Sequence, residues 1–185
     1  TWQADVYTTG DHAWDNKQGV ELLANPDLPI IRPANYAAGV PGRGQHVFTK
    51  AGHKVAVINL QGQVFFRTHP HSPFHVLDEL LQQPDIASAA IILVDFQAEA
   101  TSEKRGLGWH VDGRLSALWG THTHVPTADA QIMPAGTGYV TDIGMNGNYL
   151  SNIGVDRSAA LARFLTQLPR DFTFDETGPL EVGAL

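Results

Sequence analysis

The chain has 185 residues, 43% of them hydrophobic and 17% charged, and a formal net charge of −7 at pH 7. These values predict one globular domain over residues 1–185 and exclude a disordered chain. The negative charge argues against general nucleic-acid binding, which uses a surplus of Lys and Arg. The sequence has no cysteine, which excludes disulfides and thiolate metal ligands.

The predicted strands and helices alternate along the chain. In chain order they are a strand at 5–9, a helix at 17–23, a strand at 30–31, a hairpin of 46–50 with 54–60, a helix from 73 to about 82, a strand at 89–96, a helix from 101, strands at 115–119 and 139–141, a helix at 157–168, and a closing β pair of 172–174 with 180–182. This order places polar loops at the carboxyl ends of the strands, the edge where ligands bind in layered α/β folds.

Gly120 is followed by Thr121-His122-Thr123-His124, directly after a predicted buried strand. Two imidazoles in this position can bind one or two metal ions. The alternative is that His122 and His124 are two surface histidines on a turn.

Asp11 and His12 follow the first predicted strand. Asp11 can bind a metal there, and His12 beside it is a candidate proton donor. The alternative for Asp11 is an ordinary turn or helix-capping residue, because Asp is common in both places.

Asp95, Gln97 and Glu99 alternate at the end of the predicted strand at 89–96, so their side chains converge on the same edge. A buried carboxylate needs a partner, and a metal or a His is a common one; Glu99 can instead cap the next helix. Asn35 and Asn59 end two other strands, where they either bind a phosphate or cap loops.

Together these segments resemble the calcineurin-like metallophosphoesterase superfamily. Its Gly-Asn-His and Gly-His-x-His blocks correspond to Gly10-Asp11-His12 and, with a Thr inserted, to residues 120–124. A closer likeness is to the bacterial subgroup of 2′,3′-cyclic-nucleotide phosphodiesterases. That likeness lies in the segments at 32–35, 57–62, 95–104, 120–129 and 141–145.

The resemblance implies a four-layer α/β/β/α sandwich in which two divalent ions (Fe, Mn, Mg or Zn) bridged by hydroxide hydrolyse a small-molecule phosphodiester. It also implies site residues, with His12 protonating the leaving oxygen. The metal ligands would be Asp11, His122, His124 and, as a weak replacement for the family's His, Gln97; the substrate-binding candidates are Asn35 and Asn59.

The chain departs from the family pattern in three ways. The family's first two blocks, which carry a metal-binding Asp and a bridging Glu, have no counterpart before Asp11, so the first βαβ portion is expected to be missing. Gln97 supplies an amide, a weaker ligand than imidazole. We therefore expect little or no activity from these 185 residues alone. The alternative function is a non-catalytic relative that binds a nucleotide or a protein.

Three further expectations concern the protein's surroundings. No apolar run approaches the roughly 18 residues of a membrane-spanning helix, so no membrane partner is expected. The cysteine-free composition without a signal-peptide pattern is compatible with a cytoplasmic location. Missing strands would leave an open sheet edge, which favours homo-oligomers.

Overall fold

The computed structural model describes residues 4–174 and 177–183. The helices are α1 (Lys17–Ala24), α2 (Pro73–Leu81), α3 (Pro84–Ala87), α4 (Thr101–Val111) and α5 (Arg157–Thr166), with a 3₁₀ helix at Gly10–Trp14. The strands are β1 (Tyr7–Thr8), β2 (Ile30–Ile31), β3 (Gln45–Lys50), β4 (His53–Gln61), β5 (Ile91–Gln97), β6 (Ala117–Thr121), β7 (Gln131–Ile132), β8 (Gly138–Val140), β9 (Gly147–Asn148) and β10 (Leu180–Glu181). Within these residues no helix combines the length and the apolar character needed to cross a bilayer.

Six strands form the central sheet, in the order β3-β4-β5-β6-β8-β7. The four inner strands run parallel, and the two outer strands pair antiparallel with their neighbours. Parallel strands end at one edge of a sheet, and here Gln61, Gln97 and Thr121 stand side by side in register at that edge. The predicted α/β class is confirmed, and so is the common edge for the polar loops.

One face of the sheet is covered by α2, α3 and α4. Leu77 of α2, Leu107 of α4 and Phe96 of β5 have no exposed area and belong to the same apolar cluster. Burial of this apolar surface, at about 25 cal/mol per Å², is the main force that fixes the helices on the sheet.

The opposite face of the sheet changes from apolar to polar along the strands. Near the strand starts, Val55 and Val57 pack against Ile31 of β2. Two residues further along this face, β4 and β5 carry the paired Asn59 and Asp95, both buried. Alternate residues of a strand share a face. On this face the residues near the strand starts therefore form an apolar core, and those near the strand ends form the floor of a polar region.

The predicted closing β pair of 172–174 with 180–182 is wrong. Leu180–Glu181 instead pairs antiparallel with Gly147–Asn148, and Phe174 forms an isolated bridge with Val155. The physical reason is a long-range contact: the buried side chain of Asn148 donates to the carbonyl oxygen of Thr177 over 2.7 Å.

Replacing Leu77 with Ala should lower the free energy of unfolding by about 2–5 kcal/mol, because it leaves a cavity between α2 and the sheet. Urea denaturation measures this change. The matched control is Leu22→Ala on α1, where 48% of the side chain is exposed and the expected change is within about 0.5 kcal/mol. Equal losses in the two variants would contradict the assigned core.

Candidate active site

The turn that carries Asp11 is fixed to the centre of the sheet. The amide of Gly10 donates to Oδ1 of Asn59 over 3.2 Å, and Nδ2 of Asn59 donates to the carbonyl oxygen of Asp95 over 3.2 Å. Gly10 has a φ of +60°, and a Cβ there would overlap the amide of Gln97. Glycine is therefore required for the turn to approach β5 this closely.

Three of the predicted metal ligands meet at this edge: Asp11, Gln97 and His122. The amide nitrogen of Gln97 donates to the carboxylate of Asp11 and lies 3.3 Å from Nδ1 of His122. Nδ1 of His122 is 3.7 Å from Oδ1 of Asp11, and its Nε2 is 3.3 Å from Oε2 of Glu99. Residues 11, 97, 99 and 122 thus form one polar cluster, which we refer to as the rim cluster.

The charges of the rim cluster follow from its contacts. Burial disfavours the charged form of Asp11, but the nearby His122 and the charges of His12 and His122 outweigh it and lower its pKa. The pKa of His12 is raised, mainly by its hydrogen bond with Asp15, which joins Nδ1 to Oδ2 over 2.7 Å. The contacts therefore shift both groups toward their charged forms, with the pKa of Asp11 lowered and that of His12 raised.

His12 lies at the mouth of the cluster. Its side chain is 69% exposed, and its Nε2 is 3.7 Å from Oδ1 of Asp11. Because Asp15 occupies Nδ1, Nε2 is the ring nitrogen that faces the rim cluster. This geometry suits a group that exchanges a proton with a ligand bound beside Asp11.

His124 has neighbours outside the rim cluster. Its Nδ1 lies 2.9 Å from the carbonyl oxygen of Ile153, beside a cavity that Met145 and Gly154 also line. A role for His124 as a metal ligand therefore stays a prediction. The backbone of the loop is unusual, since His122 and His124 have φ values of +102° and +65°.

Asp142 holds Thr123, the residue between these two histidines. Its Oδ2 accepts from the amide of Thr123 over 3.2 Å and from the Thr123 hydroxyl over 2.7 Å. The same oxygen accepts from Nζ of Lys104 over 2.7 Å, and the two charged side chains are 0% and 1% exposed. Positive φ costs about 1–3 kcal/mol for each non-glycine residue. The bonds to Asp142 therefore help to keep His122 and His124 in their strained conformations.

Asn35 and Asn59 are both completely buried, and their polar atoms bond to the protein. Nδ2 of Asn35 donates to the carbonyl oxygens of Gln61 and His71 over 2.7 and 2.8 Å, and its Oδ1 accepts from the amide of Gln61 over 2.9 Å. These contacts match the loop-fixing interpretation, whereas substrate contact by either Asn stays a prediction.

Two functional candidates, Asp142 and Lys104, lie inside the family-like segments, but sequence reasoning assigns no role to either. The sequence pattern that could have revealed Lys104 is its spacing on α4. Lys104 lies three, four and seven residues before Leu107, Gly108 and Val111, all of which are buried. A Lys on the buried face of a helix requires an anionic partner.

The donor atoms of the rim cluster fit part of the shell of a divalent ion. Carboxylate and imidazole are ordinary ligands of such ions, and Oε1 of Gln97 would be a third, weaker one if the amide were turned. Within residues 4–174 and 177–183, however, no group of three or more His, Asp or Glu side chains is arranged to hold an ion. Metal binding by Asp11, Gln97 and His122 therefore stays a prediction.

Comparison with known families identifies the chain's relatives. The profile of the YmdB-like protein family matches residues 1–185. The chain belongs to the YmdB-like protein family. It is 47% identical over 174 residues to a 2′,3′-cyclic-nucleotide 2′-phosphodiesterase of Bacillus subtilis strain 168, covering 94% of this chain and 64% of that protein. The family assignment made from the motifs is therefore confirmed.

Two solved structures share the fold at similar coverage. A hypothetical protein from Thermus thermophilus superposes with a TM-score of 0.87 at 43% identity, covering 94% of this chain and 66% of that one. A phosphatase from Mycoplasma pneumoniae gives a TM-score of 0.83 at 33% identity, covering 93% and 62%. The chain thus spans just under two thirds of the length of these relatives.

Replacing Thr123 with Val should lower the free energy of unfolding by about 1.5–3 kcal/mol, because Asp142 loses a charge-assisted hydrogen bond while the side-chain shape is kept. Urea denaturation measures the loss, and the imidazole signals of His122 and His124 in NMR spectra should shift. Thr123→Ser keeps the hydroxyl and serves as the control. If the Ser and Val variants behaved alike, the hydroxyl bond would not be what holds the loop.

Proposed function

We propose that this protein is a metal-dependent phosphodiesterase that hydrolyses 2′,3′-cyclic nucleotides or related phosphodiesters. The observation that carries the proposal is the meeting of Asp11, Gln97 and His122 beside His12 at the carboxyl edge of the sheet. The name of the Bacillus subtilis relative supports the substrate class.

The proposed roles follow from the atoms available in the cluster. Asp11 and His122 would hold a divalent ion, with the turned amide of Gln97 as a weak third ligand and His124 serving a second ion. Such ions, when bound, neutralise charge on a phosphodiester and make its phosphorus easier to attack.

His12 is the proposed general acid. Its Nδ1 is engaged by Asp15, which fixes the ring plane. Nε2 is then free to give a proton to the leaving oxygen, as the oxygen of a water molecule bonds to phosphorus and the P–O bond to the leaving oxygen breaks. A positioned acid of this kind contributes about 100- to 10,000-fold to a rate. Asn59 positions the reaction indirectly, by holding the turn on which Asp11 and His12 lie.

Three further proposals concern the protein as a whole. A net charge of −7 supports a small-molecule phosphodiester, rather than a nucleic acid, as the ligand. The cysteine-free composition supports a cytoplasmic location. Association into homo-oligomers is supported by an apolar stripe on α5, where Leu161, Phe164 and Leu165 are 57%, 74% and 76% exposed. Sedimentation equilibrium tests it, and a monomer at all concentrations would rule it out.

His12→Ala should lower kcat for 2′,3′-cyclic AMP by about 100- to 10,000-fold in the full-length protein with Mn²⁺ or Fe²⁺. The loss should be much smaller with bis-p-nitrophenyl phosphate, because p-nitrophenolate leaves without being protonated. His53→Ala, at the exposed start of β4, is the control and should retain full activity. Absence of metal-dependent turnover, or turnover that does not depend on His12, would contradict the proposal.

A second candidate function is a non-catalytic relative that binds a nucleotide or a protein. It is favoured by the orientation of Gln97, whose amide nitrogen rather than its oxygen faces Asp11 and His122. In this orientation the amide offers a hydrogen bond, rather than a metal-binding oxygen, to both side chains.

Metal analysis separates the two candidates, since the enzyme should bind two ions per chain and the non-catalytic protein none or one weakly. Gln97→His should tighten Mn²⁺ binding about ten-fold or more, because imidazole is the better ligand. Titration calorimetry measures the affinity. Gln131→His on the exposed strand β7 is the matched control, and equal Mn²⁺ affinities in the two variants would exclude residue 97 as a ligand position.

A further inference from the structure

A cavity of about 180 Å³ opens beside the turn that carries Asp11 and His12. Trp14 lines it and is the last residue of the 3₁₀ helix Gly10–Trp14. Tyr36 also lines it, with its hydroxyl 3.5 Å from the carbonyl oxygen of Gly10. The cavity and the rim cluster therefore share the same short helix as a wall.

The wall of this cavity is aromatic. The rings of Trp14 and Tyr36 have centroids 5.8 Å apart and planes inclined by 35°. Val40 and Pro70 add apolar surface on the same cavity. Among the described residues that line it there is no Lys, Arg, Asp or Glu, so the cavity suits the uncharged part of a ligand rather than its phosphate.

Tyr36 is held in place before any ligand arrives. Its hydroxyl donates to Oε1 of Gln61, whose Nε2 in turn donates to the hydroxyl of Thr68 over 2.8 Å. Gln61 is completely buried and lies at the end of β4, so the aromatic wall is tied to the sheet. Burial raises the pKa of Tyr36 to about 12, which keeps its hydroxyl neutral and able to donate. A wall that is already ordered loses little conformational freedom on binding.

We propose that this cavity binds the base of the nucleotide substrate, stacked on the Trp14–Tyr36 wall. This inference rests on the proposed phosphodiesterase function, because it places the phosphate at the rim cluster beside His12. The base and the phosphate of a 2′,3′-cyclic nucleotide are attached to one ribose, and Trp14 and His12 belong to one short 3₁₀ helix, Gly10–Trp14. Every nucleotide base is flat and aromatic, so any of them can stack on such side chains.

Steady-state kinetics of the full-length protein test the proposal. The measured quantity is the ratio of kcat/KM for 2′,3′-cyclic AMP to kcat/KM for ribose 2,3-cyclic phosphate, which has no base. Trp14→Ala should lower this ratio about ten-fold, within the range of one lost stacking contact. Trp109→Ala is the matched control, because Trp109 is a residue of α4 that is 53% exposed, and it should leave the ratio unchanged. An unchanged ratio in Trp14→Ala would overturn the proposal.

A binding measurement keeps this proposal separate from the catalytic one. Adenosine should quench tryptophan fluorescence in the unmodified protein and in Trp109→Phe, but not in Trp14→Phe, which keeps an aromatic ring and the packing of the turn. That result would support the cavity even if no phosphodiester were hydrolysed. Quenching that survives in Trp14→Phe, or adenosine that fails to bind at all, would overturn the base site and leave the phosphodiesterase function to its own test.

Discussion

The buried ion pair of Lys104 and Asp142 is the interaction on which the geometry of the rim depends. Removing both charges from water is costly, and such a pair persists only when further hydrogen bonds satisfy it. Asp142 meets this condition by also accepting bonds from Thr123 and Gly144. A Cβ on Gly120 would overlap the carbonyl oxygen of Thr141 and lie 2.9 Å from Cδ of Lys104, so this glycine lets the end of β6 approach the segment after β8 and the lysine. The pair thus links α4, the loop after β6 and the segment after β8.

The fold class and the common edge of the polar loops could be predicted because both follow from local patterns. The apolar run of β5 marks a buried parallel strand, and parallel order brings Gln97 to the edge where Asp11 and His122 also lie. The partner of β10 could not be predicted, because it depends on the side chain of Asn148, thirty-two residues before Leu180 in the chain. The environment of His124 could not be predicted either, because the direction of a loop side chain depends on residues distant in the sequence, such as Ile153.

Asp11 and Gln97, two positions where the sequence departs from the motifs it resembles, are in contact with each other. Asp11 stands in place of an Asn and Gln97 in place of a His, and the amide of one donates to the carboxylate of the other. The carboxylate of Asp11 therefore meets a hydrogen-bond donor on Gln97. These two residues form one local feature of the rim, beside the framework of Asn59, Asp142 and Lys104.

The bond from Gly10 to Asn59 has a consequence for how the site moves. A loop held only by its own residues opens on its own, whereas this turn donates its amide to a completely buried side chain in the middle of a sheet. Local opening would leave the buried Asn59 without its partner, at a cost of about 1–3 kcal/mol. We therefore expect the amide hydrogen of Gly10 to exchange with solvent more slowly than that of a surface turn held only by its own residues.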